Sequence, residues 1–247
     1  MSVLVVTGTG TEVGKTIVTA ALAAVALDQG RTVAVIKPAQ TGVAGPGASD
    51  MDVVARLVGD GVSCHQRGRY PEPLAPNTAA RRAGMAAVHP ADISQEVNQL
   101  SRDHDLVLVE GSGGLLARFD DAGATLMDIA ELLDSPVLVV AHAGLGTLNA
   151  SALTTEALRH RLLRCAGLVI GSWPTDPDLA MRCNLTDLPD VTGSSLLGAL
   201  PLGAGNLPPG PFLAAARASL APELGGTWDA AGFAVRYAPP PCRIPYG

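Results

Sequence analysis

Aromatic side chains are scarce in this chain: two Trp, three Tyr and three Phe make up 3% of its 247 residues. The core must therefore be built from Ala, Val, Leu and Ile, and the 47% apolar content supplies enough of them. Basic charge is also short. Lys and Arg number 17 against 23 Asp and Glu, leaving a net charge of -6. That balance argues against nucleic acid as the main partner, because a phosphate backbone needs a basic face. No run of roughly 18 apolar residues occurs, so no membrane span is expected. Met1–Thr7 carries neither a basic nor a long apolar stretch, which argues against a signal peptide. The four cysteines, Cys64, Cys165, Cys183 and Cys242, are far apart and form no C-x-x-C pair. Free thiols in a reducing cytoplasm are the expectation, and zinc is disfavoured.

What the chain does have is a series of short β-branched runs: Val3–Thr7, Val33–Lys37, Leu106–Glu110, Val137–Ala141, Leu168–Gly171 and Leu196–Pro201. Most are continuously apolar rather than alternating, which suits strands buried on both faces of a parallel sheet. Helical patterns lie between them. In the first, Ile17, Ala20, Ala21, Ala24 and Val25 recur at helical spacing, and Gly30 ends it. Strand alternating with helix predicts an α/β fold, a doubly wound and mostly parallel sheet with helices on both faces. Length and pattern predict one domain over residues 1–221. Residues 222–247, with Pro239-Pro240-Pro241, Pro245 and several Gly, read as an irregular tail.

Five segments carry chemistry. Gly8-Thr9-Gly10-Thr11-Glu12-Val13-Gly14-Lys15-Thr16 lies between a strand and a helix. Small residues let backbone N–H groups face phosphate oxygens, the lysine reaches the β- and γ-phosphates, and the threonine hydroxyl suits Mg2+. Five residues separate Gly8 from Gly14, one more than the usual spacing. Lys37-Pro38-Ala39-Gln40-Thr41-Gly42 follows the second strand run. A lysine there is costly without an anionic partner, and the carboxyl edge of such a sheet faces the ligand crevice. Asp105 to Gly114 ends an apolar strand with Glu110-Gly111-Ser112-Gly113-Gly114, an arrangement that places an acid beside a metal. Ser49-Asp50-Met51-Asp52 opens a helix; either aspartate could cap it, and Asp50 is the expected second acid at the metal. Gly144-Leu145-Gly146-Thr147-Leu148-Asn149 offers a helix N-terminus to an anion. Arg81-Arg82, His142 and His160 read as solvated or structural.

Together these motifs resemble the dethiobiotin synthetase family of P-loop NTPases, over roughly residues 2–220. The Glu12-Val13 loop with five intervening residues and the Lys37-Pro38-x-x-[ST]-Gly segment carry the resemblance most specifically. The match extends through Gly167–Trp173 and Leu200-Pro201. It implies a Mg2+-dependent ligase that closes a ureido ring on 7,8-diaminononanoate with CO2 and a nucleoside triphosphate. It also implies a homodimer with the substrate across the subunit interface, and neither nucleic acid nor membrane as partner. Lys15 and Lys37 match the catalytic cations, and Thr16, Asp50 and Glu110 the Mg2+ ligands. Glu12, Val13, Gly14, Lys15, Thr16, Ile17, Asp50, Glu110, Gly111, Ser112, Gly113, Gly171, Ser172, Pro201, Leu202 and Gly203 match the nucleotide site. Thr11, Lys37, Thr41, Gly146, Thr147, Leu148 and Asn149 match the substrate site.

Two departures stand out. Many family members carry an adenine-reading Asn where this chain has Gly171, just after its strand run, and residues beyond about 222 match no known part of the family. A partitioning-type P-loop ATPase switch is the alternative. Such proteins usually carry a further lysine early in the loop, where this chain has Gly10 and Thr11, and basic or amphipathic surfaces. An amidotransferase-linked ligase would need a glutaminase domain, for which 247 residues leave little room.

Overall fold

The computed structural model describes residues 2–43 and 49–239. Met1, Pro240, Pro241, Cys242 and Pro245 lie outside the described residues. Seven parallel strands form one sheet: β1 Val3–Gly8, β2 Val33–Gln40, β3 Val62–Arg69, β4 Leu106–Gly114, β5 Val137–Ala141, β6 Cys165–Trp173 and β7 Leu196–Pro201. Their spatial order is β3-β2-β4-β1-β5-β6-β7. All five residues of β5 are buried, and so are the last five of β1 and the first six of β4. Successive side chains point to opposite faces, so this pattern requires cover on both sides. The fold is the expected doubly wound α/β architecture. No helix among the described residues is long and apolar enough to cross a membrane.

Six of the strands grow from the apolar runs. The seventh, β3, has no such run: its sequence is Val-Ser-Cys-His-Gln-Arg-Gly-Arg, and nearly all of it is half-buried. It sits at the sheet edge beside β2 alone, where a polar strand is tolerated and unwanted pairing is discouraged. The second run also extends further than expected. Strand β2 continues through Pro38, Ala39 and Gln40, so Lys37 lies inside a fully buried strand rather than at its end. Proline fits there because the ladder from β2 to β4 stops at Ile36, leaving that edge without a donor to supply.

Helix α1, Lys15–Asp28, is buried on nearly every side. It packs on the sheet, on α2 (Asp50–Val58) and on α8 (Pro209–Ser219). Four alanines between Ala20 and Ala24 allow that close approach. The first of the later helices is α3, Pro76–Ala83, followed by α4 Pro90–Asp103, α5 Leu126–Leu132, α6 Thr147–His160 and α7 Leu179–Thr192.

The tail departs from the irregular segment expected. Pro222–Leu224 forms a 3₁₀ turn, and Ala230–Arg236 forms helix α9, capped by Asp229 accepting from Ala231 and Gly232. Trp228 is buried. Composition hid this segment, because its ordering comes from a few aromatic contacts with the domain rather than from local pattern.

Candidate active site

All strands run the same way, so their carboxyl ends collect at one edge of the sheet. The chain reverses direction around β1, between β4 and β5, and the crevice there is where such sheets bind ligands. The Gly8–Thr16 loop closes over this edge. Gly14 caps α1 in the left-handed region (φ +96°), and a Cβ on it would sit 2.6 Å from the Gly171 carbonyl oxygen. Only glycine meets both demands. Glu12 also has a positive φ of 60°, a strained setting for a non-glycine residue.

Lys15 is buried, and its Nζ donates to the Gly10 carbonyl at 2.8 Å, which holds the ammonium over the loop. Burial, and then the charge of Lys37, pull its pKa down to about 8. Thr16 donates its hydroxyl to Glu110 Oε1 at 2.8 Å. Lys37 Nζ lies 2.8 Å from the same oxygen and 2.6 Å from Asp50 Oδ2. Lys37 is 3% exposed and Glu110 0%. Burial alone would lower the Lys37 pKa, but Glu110 and Asp50 outweigh it and hold the value above that of a free lysine. The second Glu110 oxygen, Oε2, is buried without a partner among the described residues.

The two aspartates of the helix opening divide their roles. Ser49 is the N-cap of α2, and Asp52 completes a capping box by accepting from the Ser49 backbone N–H at 2.7 Å. Asp52 is thereby engaged in the cap, while Asp50 turns to Lys37. Asp50 is steadied by Gln40, whose Oε1 accepts from the Asp50 backbone N–H at 2.9 Å. Gln40 was not among the expected site residues. The sequence offered only its place inside the Lys37–Gly42 segment.

These groups face a cavity of about 380 Å³ lined by Thr11, Glu12, Gly14, Lys15, Thr16, Ile17, Lys37, Gln40, Thr41, Asp50, Ser112 and Gly113. Eleven of the expected site residues thus share one cavity. Val13, Glu110 and Gly111 lie buried behind it. Ser112 fixes the β4 end by donating to the Ala39 carbonyl. Among the described residues no group of three or more His, Cys, Asp or Glu could hold a metal alone. The set here is two carboxylates and a hydroxyl, with one carboxylate oxygen unsatisfied. Such hard oxygen donors suit Mg2+, which keeps waters and phosphate oxygens in its remaining positions.

Gly171 lies inside β6 rather than after it. A Cβ there would collide with the Val13 carbonyl oxygen and come 3.0 Å from the Gly14 Cα. The residue is a packing surface for the phosphate loop, and no side chain can read a base from it. Pro201, Leu202 and Gly203 are exposed at the end of β7. The 3₁₀ turn that follows, Ala204–Asn206, packs on Ile17 of the cavity wall, because a Cβ on Gly205 would meet Ile17 Cδ1 at 2.7 Å.

The Gly146–Asn149 segment does not line this cavity in the same chain. Thr147 is buried and its hydroxyl has no partner among the described residues. Asn149 lines a separate groove with Thr9, Gly114, Leu116 and Leu153. Leu116 and Leu153 of that groove are 58% and 63% exposed, and Leu145, just before the segment, is 87% exposed. His142 is structural: its Nδ1 accepts from the Gly144 backbone N–H at 2.9 Å. Arg81 and Arg82 pair with Asp121 and Glu72 on the surface, and His160 pairs with Glu156. Cys64, Cys165 and Cys183 are free thiols.

A family model described as an AAA domain matches residues 2–205. The protein named ATP-dependent dethiobiotin synthetase BioD in Streptomyces avermitilis is 62% identical over 239 residues, covering 97% of this chain and 100% of that protein. Its namesake in Saccharopolyspora erythraea is 64% identical over 229 residues, covering 93% and 100%. The S. avermitilis match extends well past residue 222, which corrects the expectation that this stretch has no counterpart. Among solved structures, a ParA family ATPase from Chlorobium tepidum covers 95% of this chain and 97% of its own, with a TM-score of 0.54 and 13% identity. A chain of the MinC:MinD cell division protein complex of Aquifex aeolicus matches with 81% of both chains covered, a TM-score of 0.54 and 15% identity. Those two likenesses concern the fold alone.

Proposed function

The chain belongs to the dethiobiotin synthetase family, and from that premise we propose how its residues divide the work of an ATP-dependent ligase of biotin biosynthesis. The observation that carries the reading is Lys37, buried between Asp50 and Glu110 and facing one cavity with Lys15 and Thr16. The substrates are 7,8-diaminononanoate, CO2 and a nucleoside triphosphate.

The phosphates lie along Gly8–Thr16, where backbone N–H groups and the α1 N-terminus favour negative charge. Thr16, Asp50 and Glu110 would hold Mg2+, which when bound neutralises charge on the phosphates. One amine of the diamine adds to CO2 and loses a proton, giving a carbamate. Lys37 and Lys15 hold this anion against the γ-phosphate. A carbamate oxygen attacks phosphorus, the bond to the β-phosphate oxygen breaks, and nucleoside diphosphate leaves. Phosphoryl transfer of this kind relies on position and charge rather than on a protein nucleophile. The neighbouring amine then attacks the carbamoyl carbon of the mixed anhydride. The C–O bond breaks, phosphate departs with that oxygen, the attacking amine gives up one proton to the departing phosphate or water, and the ureido ring is closed. The second amine is tethered to the first, so closure gains from effective molarities of roughly 10^5 M or more.

The tail carboxylate of the substrate binds at Gly146–Asn149 of a partner subunit. Two observations support this arrangement: the segment stands apart from the phosphate cavity within one chain, and exposed leucines surround it. An isologous dimer through that face would join the two halves of each site.

The test is product formation. Phosphate release that requires both diaminononanoate and bicarbonate, with dethiobiotin identified by mass spectrometry, is the expected result. Nucleotide turnover indifferent to the diamine would refute the reading.

A further inference from the structure

The chain has eight aromatic residues, and four of them meet at one place. Trp173 ends β6. Its ring packs edge-on against Phe233 at 5.4 Å between centroids and against Tyr237 at 5.2 Å. Phe233 in turn packs against Tyr237 at 4.8 Å and Trp228 at 5.3 Å. In a protein so poor in aromatics, this concentration is not a sample of the general core. Three of the four rings come from the C-terminal segment, on or beside α9. That helix lies against α7 and β7 rather than against the phosphate loop.

Trp173 connects this cluster to the proposed nucleotide site. Two residues before it, Gly171 packs its backbone on Val13 and Gly14 of the phosphate loop. The Trp173 carbonyl accepts from the Leu202 backbone N–H at 2.7 Å, and Trp173 pairs with Pro201 across β6 and β7. The Pro201–Gly203 loop therefore hangs on Trp173. The indole Nε1–H is buried and has no partner among the described residues. No hydrogen bond there fixes the ring, so its setting depends on the aromatic neighbours packed against it.

We propose that the C-terminal aromatic clasp, Trp228, Phe233 and Tyr237 acting through Trp173, positions the Pro201–Gly203 loop against the base of the bound nucleotide. The proposal rests on the nucleotide site described above. Trp173 and the three tail aromatics are positioning residues: they touch no reacting atom, and they act on the base end only. The phosphate end, held by Gly8–Thr16, Lys37 and Glu110, does not depend on them.

That division supplies the test. Affinities for ATP and for inorganic tripolyphosphate, which lacks base and ribose, are measured for the wild type, Phe233→Leu and Tyr237→Ala. Loss of one aromatic contact should weaken ATP binding roughly tenfold and leave tripolyphosphate binding unchanged. In steady state, KM for ATP should rise while kcat and KM for the diamine stay near the wild-type values. A Trp228→Phe protein keeps Trp173 as its only indole, and its emission should respond to ATP but not to tripolyphosphate. Unchanged ATP affinity in both clasp variants, with a silent Trp173, would overturn the proposal. Equal losses for ATP and tripolyphosphate would also overturn it, because the clasp would then serve the fold as a whole. A wild type that binds neither ligand would instead refute the nucleotide site itself.

Discussion

Replacing Lys37 by Ala should damage both stability and turnover, and the two effects can be separated. The ammonium is 3% exposed and lies 2.6 Å from Asp50 and 2.8 Å from Glu110. Unit charges 4 Å apart attract by about 4 kcal/mol at an effective dielectric of 20, and much of that offsets the desolvation of the ions. Deleting one partner removes the attraction and leaves the desolvation. Glu110, 0% exposed, then keeps the Thr16 hydroxyl as its one hydrogen-bond partner among the described residues, with the charge of Lys15 nearby. Losses of about 3–5 kcal/mol are typical for such a change. A lysine at an exposed strand end would have cost far less, so the position of Lys37 within β2 decides the size. Urea denaturation at neutral pH without nucleotide or Mg2+ measures it. A Glu110→Gln change in the Lys37→Ala background should cost less than the sum of the two single changes, by about 0.5–3 kcal/mol. Below the unfolding transition, Lys37→Ala should also lower kcat by ~100-fold or more, as when one donor to developing charge is removed. Lys37→Arg should not restore full turnover, since a planar fork replaces a point charge. A loss under about 1 kcal/mol, or near-normal kcat, would refute the reasoning.

Three further outcomes are expected. A bidentate amide contact to adenine is worth roughly 1–3 kcal/mol, and Gly171 has no room for one. ATP, GTP, CTP and UTP should therefore differ by less than ~100-fold in kcat/KM, and a larger ATP preference over all three would show that another group reads the base. If Gly146–Asn149 serves the partner subunit, then mixing Lys37→Ala chains with Gly146→Val chains should restore activity, Gly146 being a helix cap at φ +88° that valine cannot adopt. No recovery in verified heterodimers would place the whole site within one chain. The third concerns acid. Burial pushes the Asp128 pKa up, but hydrogen bonds from Arg161 and Thr125 outweigh it and hold it below the ordinary value of 3.8. A depressed folded-state pKa stabilises above the unfolded value and loses that effect as pH falls through the folded one. Asp128→Ala should thus cost about 1 kcal/mol at pH 7, and the gap to wild type should narrow below pH 4 in denaturation curves. A gap that stays constant into acid would contradict this.

Much of the fold was legible because the strands of a doubly wound sheet are buried on both faces and so read as apolar runs. β3 escaped because an edge strand need not be apolar. α9 escaped because its order depends on Trp173, some sixty residues away in sequence, and no local pattern records such a contact. In the site, residue type and spacing were enough to bring Lys15, Thr16, Lys37, Asp50 and Glu110 together, since Lys15, Thr16 and Asp50 open helices and Lys37 and Glu110 close the apolar runs of β2 and β4. Depth was not legible. Nothing in the motif says that β2 continues past Lys37, or that Gln40 steadies Asp50. The meaning of Gly171 was also hidden: in sequence it is a missing amide, and in space it is the surface on which Gly14 rests.

The central claim is that a carbamate oxygen, held by Lys37 and Lys15, is the group phosphorylated. Turnover with ¹⁸O-labelled bicarbonate and CO2, followed by mass spectrometry of the released phosphate, tests it directly. The oxygen that attacks phosphorus stays with phosphorus when the ring closes, so the account predicts one ¹⁸O in each phosphate released during early turnover. Phosphate carrying no label, while dethiobiotin forms at the normal rate, would contradict it.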